Sequence, residues 1–278
     1  GVELLRSQGV PCFDFPEQAV QAVEAMYLQR LWKDRQFPVE VCFRRDIGRA
    51  EKALGRARDL GLEEIHGTEA VDVAQAYELP VLETVLARTS DRAVRAAGRM
   101  GYPVALKLFS PAYPEPADSG MEVAGIKDAA TLRRAFLELT SRAVRERPGA
   151  YVAGCLVQAM PRSGGLHCVI GFDRDPQFGP LLFFGLGGPA MAVLNDVSRR
   201  LAPLTLGDAQ SMVRDIQAFP LLKGARGGKP VDLGAIEDIL LTLSQLALDF
   251  PEIHQLTLDP VHADGEGAQI AGVRLTAT

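Results

Sequence analysis

An excess of positive charge is the first thing missing: 30 Lys and Arg stand against 35 Asp and Glu in 278 residues, a formal net charge of -5. Without a global positive field, bulk DNA or RNA binding is disfavoured. Aromatic residues are few, 6% with a single Trp, so no stacking residues interleave the Arg-rich stretch 44–59. Its charges are expected to coat a solvated helix over 50–60, ended by Gly61. The four cysteines, Cys12, Cys42, Cys155 and Cys168, show no C-x-x-C spacing, which points to reduced thiols in a cytoplasmic protein rather than to a disulfide or zinc site. The most apolar run, 179–194, is broken by Gly185, Gly187, Gly188 and Pro189 and falls short of the ~20 residues of a membrane span. The opening GVELLRSQGV has no apolar core of a secretory signal. Neither a membrane nor a nucleic acid is expected as partner, and Gly1 in place of Met leads us to expect a processed chain or fragment. G-x-S-x-G, H-E-x-x-H and H-x-x-x-H are absent, and His66, His167, His254 and His262 are read as structural.

What is present is an ordinary globular composition, 47% hydrophobic and 23% charged, enough for one large or two modest domains. A strand over 10–15 is expected to lead into a helix over 16–32, with Pro16 at its first position and Val20, Val23, Tyr27 and Leu31 on one face. Thr68 and Ser90 are expected to cap helices, and Asp128 to open a long helix to about Arg147. Strands are expected over 80–87, 103–109, 151–160, 167–172, 181–186, 253–260 and 269–275, with further helices over 208–219 and 231–250. Successive strands are often not separated by helices, so the expected class is α+β.

Three features could carry chemistry. The run FFGLGGP (183–189) presents backbone N–H groups without side-chain cover, which suits a phosphate cradle or a structural turn. Lys107 stands alone in VALKLFS, where its ammonium must either meet an anion or snorkel to the surface. Asp196 and Arg200 lie four apart after the glycines, as a phosphate contact with its orienting acid or as a surface ion pair.

Taken together these residues resemble the ATP-grasp region, beta-subunit type, of the NDP-forming acyl-CoA synthetases. The matching strings are AYELPV (76–81), GYPVALKLFSP (101–111), LVQAM (156–160), RDPQFGP (174–180), FGLGG (184–188), DVSRRLAPL (196–204), LLKGARG (221–227) and DFPEI (249–253). The resemblance implies an ATP-grasp fold of two lobes, approximately 80–150 and 151–278, within a domain over 47–278. Residues 1–46 would be the tail of a preceding flavodoxin-like CoA-ligase domain. It further implies ATP or ADP as cofactor, with Lys107, Gly185, Gly187, Gly188 and Arg200 meeting phosphate and Asp196 orienting the arginine. Gln158, Ala159 and Met160 would form the hinge strand against adenine. The implied partner is a CoA-ligase domain of the same or a second chain.

Where family members carry H-K-S-D-x-G-G, this chain reads EPADSGM, with Glu115, Pro116 and Met121 in place of His, Lys and the second Gly, and Asp118 and Gly120 kept. Thr257, Asp259, Gly272 and His167 likewise replace expected polar or acidic residues, leaving Asp259 as the one evident metal ligand and magnesium in doubt. The resulting expectation is a nucleotide-binding region degenerate in catalysis, a regulatory module beside an acetyltransferase domain. The rival readings are an active ADP-forming acetyl-CoA synthetase domain working through a phosphohistidine relay, and a scaffold that binds nothing small.

Overall fold

A computed structural model of the protein describes residues 1–33, 43–59, 61–113, 119–188 and 196–277. The expected departures Glu115, Pro116 and Asp118 lie outside the described residues, as does Cys42. The chain forms two compact units, Gly1–Val39 and Glu40–Thr278. The first holds two helices, α1 (Val2–Ser7) and α2 (Pro16–Lys33), with Pro16 at the helix start as expected. The expected strand over 10–15 does not form. A strand needs a hydrogen-bonded neighbour, and no strand is described in this unit to supply one.

The second unit runs α3 (Ile47–Asp59), β1 (Glu64–His66), α4 (Thr68–Ala76), β2 (Thr84–Ala87), α5 (Ser90–Met100), β3 (Val104–Phe109), β4 (Glu122–Ile126) and α6 (Ala129–Glu146). It continues through β5 (Gly154–Ala159), β6 (Leu166–Asp175), β7 (Gly179–Leu186), β8 (Val197–Leu201), α7 (Leu206–Asp215), α8 (Phe219–Leu222), α9 (Leu233–Asp249), β9 (Ile253–Asp264), β10 (Gly267–Ile270) and β11 (Val273–Ala277). Caps follow the expected chemistry with one-residue shifts. Asp128 accepts the Thr131 N–H at 2.8 Å, while Thr89, not Ser90, caps α5, and Gly67 precedes α4 with Thr68 already helical.

Two sheets result. The larger runs β1-β11-β9-β6-β7-β8, with β10 paired to β9, and the smaller runs β2-β5-β3-β4. Both are antiparallel along these paths. The larger sheet packs one face on helices through Ile170, Phe172, Leu182, Phe184, Leu256 and Leu258, against Met212, Ile236 and Leu240. The smaller has its own core, in which Leu106, Leu108 and Val157 meet Leu132, Phe136 and Leu139 of α6. This corrects the expected lobe boundary at 150/151. Strand β6 pairs with β7 in the larger sheet, whereas β5 pairs with β2 and β3, so the divide falls after Ala159. Cys155 and Val157 are fully buried between those neighbours, and burial decided their sheet. Among the described residues no helix is long and apolar enough to cross a membrane.

Candidate functional site

Strand alternation sets which residues reach the cleft between the sheets. In the larger sheet Ile170, Leu256 and Leu258 enter the helix-covered core, so Gly171, Thr257 and Asp259 face the other way. His66 shares that open face, across the ladder from Arg274, and its ring meets Phe109 of β3 with centroids 5.6 Å apart. The open face is therefore the one turned to the smaller sheet. Leu82 N donates to Ile270 O at 2.8 Å and Ile270 N to Pro80 O at 2.9 Å, which ties the sheets together at one end of the cleft.

Lys107 alternates with the buried Leu106 and Leu108 and so projects from β3 away from the smaller core. Its ammonium donates to Ala271 O at 3.4 Å and lies 3.9 Å from Glu122 Oε1, with the side chain 16% exposed. Burial holds its pKa below the ordinary lysine range, partly offset by Glu122. Gln158, on the neighbouring β5, donates to the same Ala271 O at 2.9 Å and to Thr84 Oγ1 at 2.9 Å. Two side chains of the smaller sheet thus converge on one carbonyl of the larger lobe. Ala159 ends the strand, its N–H on Glu83 O at 3.0 Å, and Met160 lies just past it.

At the end of β7 the glycines meet a histidine. Gly187 N donates to His167 O at 2.8 Å. A Cβ on Gly187 would lie 2.5 Å from His167 Cδ2, and Gly188, at φ +69°, would place one 3.2 Å from His167 Nδ1. Gly185 packs against the Asp196 carbonyl, 2.7 Å from where its Cβ would be. The absence of side chains lets the imidazole lie flat on this turn. His167 Nε2 is 2.7 Å from Asp259 Oδ1, and its ring stacks on His262.

Lys107, Gln158, Gly187, Gly188 and Asp259 therefore line one cleft, whereas Asp196 and Arg200 do not. Arg200 is the ladder partner of the buried Leu182, on the helix-covered side, and pairs with Asp215 of α7. Asp196 accepts the backbone N–H groups of Gln217 and Ala218, each at 2.8 Å. The phosphate role expected for this pair gives way to tying the β8 edge to α7 and the turn after it. Alternation puts Arg199, across from Phe183, on the cleft side instead. His167 and His262, read as structural from the sequence, stand in the cleft; the available signal was their place beside buried apolar residues, HCV and VHA.

The magnesium implied by the family fits this donor set poorly. Such an ion takes about one or two carboxylates beside the nucleotide phosphates. Asp259 is already engaged by His167, and Thr257 and Gly272 carry no carboxylate. Among the described residues no group of three His, Cys, Asp or Glu side chains is placed to hold a metal.

Residues 56–277 match the model of the ATP-grasp domain. The ADP-forming acetate–CoA ligase I of Archaeoglobus fulgidus is 37% identical over 275 residues, which is 98% of this chain and 39% of that protein. The chain thus spans about two fifths of that ligase. The beta subunit of ADP-forming acetate–CoA ligase II of Pyrococcus furiosus is 39% identical over 228 residues, 81% of this chain and 94% of the subunit. Among solved structures, acetyl-coenzyme A synthetase 1 of Ca. Korarchaeum cryptofilum, in complex with coenzyme A and Ca-AMPCP, superposes with a TM-score of 0.78 at 35% identity, over 82% of this chain and 100% of that one. With the match running through both sheets and the cleft between them, the chain belongs to the ATP-grasp family, in the branch formed by the beta subunits of ADP-forming acetate–CoA ligases.

Proposed function

We propose that this domain holds ATP or ADP in the cleft between its two sheets, has lost the phosphoryl-relay chemistry of its relatives, and serves a larger protein as a regulatory module. The observation that carries the reading is Lys107, a largely buried ammonium aimed across the cleft and met there by a carbonyl and by a carboxylate only at 3.9 Å. A buried cation so weakly paired favours an incoming anion, because a phosphate restores the electrostatic energy that burial removes. Gln158 beside it has both amide hydrogens engaged and keeps its Oε1 to accept from the adenine edge, and the His167 ring, seated on the turn at Gly187 and Gly188, borders the place a polyphosphate would take. When bound, the nucleotide supplies the phosphate charge. The chain's residues orient it and exclude water.

The setting we infer includes a CoA-binding ligase domain, as the Archaeoglobus ligase extends well beyond the region matched here. The regulated output we infer is an acetyltransferase domain; the departures at Glu115, Pro116, Thr257 and Gly272 support the loss of catalysis on which that setting depends. The test is thermal. A ligand that binds only the native state stabilises by RT ln(1 + [L]/Kd), ~2.7 kcal/mol at a hundredfold excess. ADP should raise the melting temperature of the wild type and not that of Lys107→Ala. An unchanged melting temperature in millimolar ADP, for both proteins, would defeat the reading.

A further inference from the structure

His262 lies directly across the ladder from His167, and the two rings stack with centroids 5.8 Å apart and planes inclined by 21°. Its neighbours Val261 and Ala263 are fully buried in the larger core, so His262 is turned to the cleft. Among the described residues neither of its ring nitrogens has a hydrogen-bond partner. The groups acting on it are the imidazole of His167 and the ammonium of Lys107, both of which, after burial, hold its protonation below the ordinary histidine range. The carboxylates nearby are engaged elsewhere, Asp259 with His167 at 2.7 Å and Glu122 with Lys107 at 3.9 Å. The Lys107 ammonium of the smaller sheet thus acts on the stacked imidazoles of the larger, and the carboxylates beside them, Glu122 and Asp259, are already paired with Lys107 and His167.

We propose that His262 and Lys107 contact the polyphosphate of the nucleotide directly, with no divalent cation between nucleotide and protein. The inference rests on the nucleotide reading above and deepens it. Imidazole N–H and ammonium groups are donors matched to phosphate oxygens, and here they stand where a carboxylate set would be needed to hold a metal. The stack on His167, itself oriented by Asp259, fixes the ring plane of His262 before the ligand arrives, which lowers the ordering cost of binding.

The experiment is calorimetric titration of ADP into the full chain, once in excess EDTA and once in magnesium, for the wild type and His262→Ala. Dissociation constants in the two media should agree within about threefold for the wild type, and His262→Ala should weaken ADP about tenfold in both, with an unchanged far-UV circular dichroism spectrum. Wild-type binding that vanishes in EDTA would overturn the proposal while leaving the nucleotide reading intact. So would a folded His262→Ala that binds as the wild type does. Absence of ADP binding in both media would remove the nucleotide reading itself, and this inference with it.

Discussion

Gly272 is held in a space that admits no side chain, since a Cβ built there would stand 1.9 Å from Asp259 O and 2.8 Å from its carbonyl carbon. The neighbouring backbones are tied, Asp259 N to Gly272 O at 3.1 Å and Ala271 N to Pro260 O at 2.9 Å, so neither can move aside cheaply. Gly272→Ala should cost ~2 kcal/mol, read as a fall in the urea midpoint at constant slope. Wild-type stability in that variant would show that the contact relaxes freely. The same geometry explains why restoring an acid at this one position would not rebuild a metal site. The cysteines make a second residue-scale prediction. Burial pushes the thiols of Cys155 and Cys168 up to about 12, whereas Cys12 is partly exposed. Iodoacetamide at pH 8 should therefore label Cys12 in the native chain and reach Cys155 and Cys168 only on unfolding. Cys12, Cys155 and Cys168 all sit in apolar runs that suggest buried thiols, and this holds for Cys155 and Cys168 but not for Cys12, whose run forms no strand to cover it. That Arg200 faces α7 was not legible, because DVSRRL offers two adjacent arginines and only the pairing of β8 with β7 decides which faces the cleft.

Several strings that mark the family hold elements to one another. Arg174, from RDPQFGP, donates to Ala247 O at 2.6 Å, Phe250 O at 3.2 Å and Ile253 O at 3.1 Å, closing the C-terminal end of α9. Tyr77, from AYELPV, donates to Asp249 Oδ2 at 2.7 Å, and Arg45 lies 3.3 Å from the same carboxylate oxygen. Arg174→Ala removes two bonds to helix-end carbonyls and one to the first residue of β9, and should cost ~2–3 kcal/mol in urea unfolding. A loss below about 0.5 kcal/mol would mean that water replaces the guanidinium without penalty. At this scale the sequence was informative where a cap or a long apolar stripe acts alone, as at Pro16 and Asp128. Strands β4 and β8 escaped notice because EVAGI and VSRRL alternate poorly and exist by virtue of their ladder partners. The single strand expected over 269–275 is two, β10 and β11, separated at Ala271 and Gly272, where the chain turns to meet Gln158 and Lys107.

At the scale of the whole molecule, the division into two sheets places a cation of one opposite the glycine turn, imidazoles and single engaged carboxylate of the other. The fold class and the cleft's Lys107, Gln158 and glycines were readable from collinear motifs, while the histidine wall depended on register between β6 and β9, which no local pattern encodes. Phosphoryl transfer to a carrier depends on positioning and charge neutralisation. The chain should therefore form no acetyl-CoA from acetate, CoA and ATP, alone or mixed with a CoA-ligase domain from an active relative, and γ-labelled ATP should leave no label on His66, His167, His254 or His262. Label or product above the no-enzyme control would show a working ligase domain. The central claim, that the cleft between the sheets takes the nucleotide, is tested most directly by hydrogen exchange of the full chain with and without saturating ADP. The account predicts slowed exchange in Val104–Phe109, in Gly154–Ala159 and at the Gly187 amide. No change there, or protection confined to the separate pocket lined by Tyr77, Leu79, Ile239 and Thr242, would contradict it.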